Sequence, residues 1–394
     1  MKRISSIILF LLAAYAGMAQ MRYTQVLVQL ENESPLFAAL HQQMEAQQLA
    51  AKAGSLLDNP EVEFALFRGT PGEVGNRWDL GVTQQFDFPT AYKHKARIRR
   101  LAAAGAEIDY RVRRQELIME AQLLCADIVY YNALVENYTR CAATADSLAL
   151  LYQKRFENGD CNIIDFNRVQ MESSEAQNKL ALAIAERDML LGELQVLNGG
   201  QNVSFNQTSY EPVALPSSFE SWYREMEQSN PALAQLESQL NISQSEYSLA
   251  RSESLPSFSV GYASENTTGE VFRGAKVGMT LPLWKNRGQV KKSMAEQHVA
   301  EVELSNARLS YYNHLRGLYN KVSALKKNVD RLNLTFSNHG STALLQKAFA
   351  ASEISLEEYL LGIDFYNDAA VSLLEAQHEL EQAVIELYTT TGIK

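Results

Sequence analysis

Residues 78–89 read WDLGVTQQFDFP and residues 274–287 read GAKVGMTLPLWKNR; each is an alternating segment that runs through a proline toward a long helical stretch. In the first, Trp78, Leu80, Val82, Phe86 and Phe88 share one face, interrupted by Gln84. Asp79, Gly81, Thr83, Gln85 and Asp87 take the other. A strand shows successive side chains to opposite faces, so this alternation predicts one apolar and one polar surface. Ala275, Val277, Met279 and Leu281 oppose Lys276, Gly278 and Thr280 in the same way. Each segment has an upstream companion: Val62, Phe64 and Leu66 against Glu61 and Glu63, and Phe258, Val260 and Tyr262 against Ser257, Ser259 and Gly261. Strands are therefore expected near 61–68, 78–88, 257–265 and 274–282. Such pairs suit half-buried hairpins on a soluble core, and they suit a barrel wall with lipid outside and water within.

The helical pattern around them decides between these readings. Helices are expected from about 30 to 57, 90 to 157, 163 to 197, 231 to 254, 287 to 351 and 356 to 387. Asn158-Gly159-Asp160 breaks the first long stretch, and a polar segment, 199–218, reads as an irregular linker with one short strand. A helix from 90 to 157 is roughly 100 Å long at 1.5 Å per residue, far beyond a globular domain. Leu117, Ala121, Leu124, Ile128, Tyr131 and Val135 recur at spacings of four and three, a coiled-coil stripe with small residues for close approach. The order helix, strand, strand, long helix, turn, helix then repeats. Pro89 and Pro282, Gln153-Lys154 and Gln346-Lys347, and Phe156 and Phe349 all stand 193 residues apart. The domain expectation is a first repeat over 20–210 and a second over 211–394. Four strands cannot close a barrel with a lumen, so closure needs copies, and three chains supply twelve strands.

The 394 residues carry 46 acidic and 36 basic side chains, a net charge of −10, which disfavours a nucleic-acid partner. Lys2 and Arg3 precede an apolar run from Ile7 to Tyr15 and small residues up to Ala19, the pattern of a secretory signal peptide over 1–19. No later apolar stretch reads as a spanning helix, so any membrane passage is expected to use strands. Three cysteines and six scattered histidines form no zinc signature, and no GxSxG, GxGxxG or P-loop pattern occurs. No enzyme activity, metal site or cofactor is expected. His94 and His298, at nearly matching places in the two copies, read as solvated helix residues.

In this order and spacing, the segments resemble the outer membrane efflux proteins of the TolC type, across essentially the whole mature chain. The resemblance rests on the strand–helix joins at Phe86-Asp87-Phe88-Pro89 and Leu281-Pro282-Leu283-Trp284, and on the helix turns at 156–165 and 349–359. It implies a mainly α fold with a transmembrane β-barrel. Each chain of a homotrimer would give four strands to a shared 12-stranded barrel, and long coiled helices to a periplasmic α-barrel. The implied location is the outer membrane, in contact with its lipid, with a large periplasmic portion. The implied function is passive conduction within a tripartite efflux or export system. Its partners would be a periplasmic adaptor (membrane fusion) protein and an inner-membrane pump of the resistance-nodulation-division type. A metal-cation-specific duct and an exported coiled-coil stalk without a conduit are the alternatives.

The resemblance also implies a periplasmic gate at acidic positions just after the turns, matching Asp165 and Glu358, with Glu357 beside the latter. The competing reading is that these are ordinary first-turn acids facing the positive end of a helix. Gly159 and Ser352 mark the turn tips; Ser352 stands where the family has glycine, and Leu361 where it has a second acid. Trp78, Tyr262 and Trp284 suit an aromatic girdle and suit hairpin–helix packing equally.

Overall fold

The computed structural model describes residues 23–53, 57–70, 75–284, 286–339 and 341–391. The expected signal peptide, 1–19, lies outside them. The described elements are α1 (Thr24–Glu33), α2 (Pro35–Ala53), β1 (Glu61–Arg68), β2 (Asn76–Phe86), α3 (Pro89–Glu157), α4 (Ile163–Leu197), α5 (Phe219–Ser229), α6 (Pro231–Ser252), β3 (Ser257–Thr267), β4 (Glu270–Thr280), α7 (Arg287–His339), α8 (Ala343–Ala350) and α9 (Leu356–Thr389).

The four strands form one antiparallel sheet in the order β1-β2-β3-β4, open at both edges. Its register places Val62 opposite Val82, Val82 opposite Tyr262, and Tyr262 opposite Ala275. One row along, Glu61, Thr83, Gly261 and Lys276 line up on the other face. The apolar face is bare: Val62, Phe64, Leu66, Val260 and Val277 are each more than half exposed. Toward the β3–β4 turn polar residues enter it: Ser264 and Arg273 share a row with Phe64 and Leu80, and Asn266 shares one with Leu66 and Trp78.

Several boundaries differ from the sequence expectation, each for a local reason. β2 runs over 76–86 rather than 78–88, because the Asp87 N–H donates to the Tyr92 hydroxyl (2.8 Å) and Phe88 already accepts from Ala91 as α3 begins. β3 and β4 extend to a two-residue turn, Thr268-Gly269, with Gly269 at φ 99°, so β4 starts at 270. The first helix starts at Thr24 and breaks at Ser34, which is extended because Pro35 follows it. Proline then opens α2, where its missing N–H costs nothing. The expected helix over 287–351 is interrupted: α7 ends at His339, and the Ser341 hydroxyl accepts from the Ala343 N–H as α8 starts.

Segment 199–218 contains no strand. Tyr210 donates to the Ala126 carbonyl (2.9 Å) and Asn132 to the Gln207 carbonyl (3.0 Å), so side chains fix it. α5 was not expected; Trp222, Tyr223 and Met226 bury its apolar stripe among Tyr311, Tyr312 and Tyr319. Contrary to expectation, α3 contains a window apolar enough to span a membrane. Just over half of that window is buried, as in a core helix.

The chain divides into two compact units, each drawing on both halves of the sequence. One comprises His41–Val112 and Pro231–Ser310 and holds the sheet. The other comprises the described residues up to Leu40, Arg113–Asn230 and those from Tyr311 onward, and holds the helix turns. In the second unit, Leu30, Ile128, Val129 and Leu194 are fully buried in one core. A separate cluster of Ala149, Tyr152, Val169, Leu356, Tyr359 and Leu360 lies at the turns.

Candidate functional site

The two helix turns are built alike, residue by residue, at the 193-residue offset. α3 ends through Gly159 at φ 79°, with the Gly159 N–H donating to Phe156 (3.0 Å) and the Asp160 N–H to Arg155 (2.7 Å). In the second copy Ser352 takes φ 59°; its N–H donates to Phe349 (3.0 Å) and the Glu353 N–H to Ala348 (2.9 Å). Both are left-handed helix stops, which favour glycine. Stacked rings follow: Phe156 on Phe166 at 4.8 Å, and Phe349 on Tyr359 at 4.4 Å.

Next come the caps. The Asn162 side-chain oxygen accepts from the Asp165 N–H (2.8 Å), while its amide donates to the Asp165 carboxylate (2.8 Å). Ser355 and Glu358 form a reciprocal capping box. The Glu358 N–H donates to the serine hydroxyl (3.2 Å), and the Ser355 N–H and hydroxyl donate to the Glu358 carboxylate (2.8 and 2.9 Å). The backbone N–H of Ser355, and then its hydroxyl, hold the Glu358 carboxyl below the usual carboxylate range. A depressed folded pKa means that this contribution is present at neutral pH and is lost as pH falls through it.

Each candidate acid thus has a defined place. Asp165 and Glu358 each bond to the cap residue of their own helix, and Glu358 is exposed. Glu357 faces Arg168 of α4 at 3.6 Å, an exposed pair that joins the helices following the two turns. Arg168 was not singled out in the sequence, although its place three residues after Asp165 puts it on the same helix face. Leu361 is 58% exposed, an apolar residue one turn beyond Glu357.

The joins are less alike. Pro89 is the first residue of α3, whereas Pro282 lies in the link before α7 at the centre of a tight turn, where the Leu283 N–H donates to Leu281 (2.9 Å). Lys95 pairs with Asp87 at 2.6 Å and braces the first join; Asn286 donates to the Glu253 carbonyl at the second. Trp284 is 88% exposed. Trp78 lies 6.3 Å from Phe64 on the apolar face of the sheet. His298 pairs with Glu301 on its own helix at 3.2 Å. Among the described residues, no group of His, Cys, Asp or Glu side chains is placed to hold a metal ion.

Serine in a left-handed conformation costs about 1–2 kcal/mol, partly offset in any glycine replacement by the entropy glycine loses on folding. Ser352→Gly is therefore expected to stabilise the second turn by about 0.5–1 kcal/mol. Hydrogen exchange at the Glu353 amide should slow by about two- to fivefold. An unchanged rate would show that the serine conformation costs nothing there.

No protein-family model and no curated protein matches the sequence. Solved structures do match the fold. The CmeC outer membrane channel of Campylobacter jejuni aligns with a TM-score of 0.77 at 14% identity, covering 94% of this chain and 85% of its own. The outer membrane protein VceC of Vibrio cholerae gives 0.76 at 12% identity, covering 94% and 95%. The open-state MtrE outer membrane channel of Neisseria gonorrhoeae gives 0.76 at 14%, covering 94% and 89%. The chain has the fold of these outer membrane proteins over nearly its full length.

Proposed function

We propose that the protein is an outer membrane channel of an efflux or export system, with its helical part in the periplasm. One observation carries this reading: the sheet is open at both edges and bares an apolar face from all four strands. A single soluble chain would leave that face in water, where so large a patch is unfavourable. Lipid covers it if the edges pair with further copies and the sheet closes. Three copies give twelve strands, within the range of closed membrane barrels, and a homotrimer accords with the shared fold. The polar face, with Glu61, Thr83 and Lys276, then lines the water-filled interior. As the resemblance to the TolC type implies, a periplasmic adaptor and a pump of the resistance-nodulation-division type complete the system and supply the energy.

Asp165, Glu357 and Glu358 are proposed as the gate region at the turns, where three-fold symmetry gathers carboxylates about one axis. Capping and gating are compatible at Glu358, whose carboxyl its cap residue holds below the usual carboxylate range. A carboxylate ring favours cations at the entrance.

The test uses detergent-purified trimers, whose mass by light scattering should be about three chains. In planar bilayers under a salt gradient they should show a cation-preferring reversal potential. The double variant Asp165→Asn with Glu358→Gln removes two charges per chain yet keeps side-chain oxygens for both caps, since glutamine also serves in a capping box. It should assemble normally and lose cation preference. A stable monomer would overturn the channel reading. An unchanged potential in intact trimers would leave the two acids as helix caps alone.

A further inference from the structure

Within the unit that holds the helix turns, α3, α4 and α9 line a partly open cavity of about 130 Å3. Its floor is apolar, with Val169 and Leu360 both buried. On one wall the Cys141 thiol lies 3.2 Å from the Asn367 side-chain oxygen, linking α3 to α9. Glu172 of α4 and Asp364 of α9 both line it, and Asp368 adds a third carboxylate. Neither Glu172 nor Asp364, each half-buried, has a hydrogen bond or ion pair with any described residue. Lys179, the single cation of the lining, is paired with Glu175 at 3.0 Å.

Two half-buried carboxylates without partners, on separate helices around one cavity, are an unstable arrangement in low dielectric. A proton relieves it, and so does a cation. The apolar floor indicates what kind of cation. Hard metal ions take six or more oxygen ligands converging on one point, whereas among the described residues no group of His, Cys, Asp or Glu side chains converges so. A cavity of about 150 Å3 holds a benzene ring, so the volume here suits a small ring or short alkyl chain.

We propose that this cavity binds a small organic monocation, its ammonium group between Glu172 and Asp364 and its apolar body over Val169 and Leu360. The pocket lies within one chain, so the inference stands apart from the channel reading. Binding should depend on pH in a definite direction. Burial first, and then the facing Asp364, pushes the Glu172 carboxyl up; burial first, with Asp368 adding to it, pushes Asp364 up. Lys179 and Arg168 act against both shifts, and Cys141 and Tyr138 face the cavity from α3 as thiol and phenol. The counter-charge is thus present above these raised values, and is lost as pH falls through them.

The probe is benzylamine, titrated calorimetrically into the full-length protein in detergent, with the double variant Glu172→Gln/Asp364→Asn as the reference for micelle partition. Saturable binding at about pH 8 is expected, weakening about tenfold or more once pH is lowered through the raised carboxyl range. Each single variant should weaken it about tenfold, and the double variant should show none. Without ligand, the double variant should be at least as thermally stable as the parent, because repulsion is removed while shape is kept. That is the control for folding. Benzyl alcohol, the neutral isostere, should bind about tenfold or more weakly. Benzylamine binding that survives in the double variant would overturn the proposal. So would equal binding of the alcohol (an apolar hole only), or displacement of the amine by equimolar sodium (a metal-cation site). Bilayer conductance of the parent is a separate measurement and does not depend on this result.

Discussion

Val82→Arg is expected to lower the stability of the inserted protein by about 2–4 kcal/mol, while Thr83→Arg, one residue along, leaves it nearly unchanged. The contrast follows from strand geometry. Val82 sits between Val62 and Tyr262 on the bare apolar face, where an arginine at mid-membrane has no water to solvate it. Thr83 sits between Glu61 and Gly261 on the other face. Gly261 has no side chain to obstruct it; a Cβ there would lie 3.0 Å from the Thr83 hydroxyl. An arginine at 83 thus has room and an acidic neighbour, and should alter conductance instead. Urea titration of the protein refolded into vesicles measures the first effect, and single-channel recording the second. Equal losses of stability would mean that the faces are misassigned, and a loss confined to Thr83→Arg would invert them.

The sheet was legible because its signal is local: alternation at period two survives whatever the surroundings. The ends of β2 were not, because Asp87 and Phe88 continue the alternation while their backbone groups are captured by Tyr92 and Ala91. α3 and α4 were legible within a residue, since Pro89, Gly159 and Asn162 are stop and start signals in themselves. The end of α7 carried a signal, His339-Gly340 being a helix-weakening pair in the sequence, whereas the start of α8 did not, for Ser341 acts only through a weak hydroxyl bond to the Ala343 N–H. α5 carries a signal of its own: Phe219, Trp222, Tyr223 and Met226 follow the spacing of zero, three, four and seven of a buried helical face. Its aromatic partners lie some ninety residues away on α7, beyond any local pattern.

The turns show the same division. Repeat arithmetic placed Asp165 and Glu358 at equivalent positions, and Ser355-Leu356-Glu357-Glu358 spells a capping box in the sequence itself. What the sequence did not reveal is that Arg168 reaches Glu357, and that Glu172 and Asp364 line one cavity. Both depend on how α4 meets α9, a tertiary fact with no period in either helix.

Leu194→Ala is expected to cost about 2–5 kcal/mol, as large-to-small changes at fully buried sites do, and the cost should appear in α1. Leu194 ends α4 inside the cluster of Val26, Leu27, Leu30, Ile128 and Val129, so truncation removes the surface on which α1 packs. The adjoining residues offer little compensation. Asn198, fully buried, donates to the Glu33 carboxylate at 2.9 Å, and Gly199 at φ 68° sits where a Cβ would meet the Glu33 carbonyl at 3.0 Å. The end of α4 is therefore keyed to the α1–α2 break by close fit, and it cannot slide to fill a cavity. Amide exchange across Thr24–Glu33 should accelerate about thirtyfold or more, while the sheet keeps its protection. Leu182→Ala, on the same helix at a position 60% exposed, should change stability by no more than about 0.5 kcal/mol. If the α1 amides exchange at the parental rate in Leu194→Ala, α1 is held by contacts outside this cluster, and the assignment of Leu194 as its anchor fails.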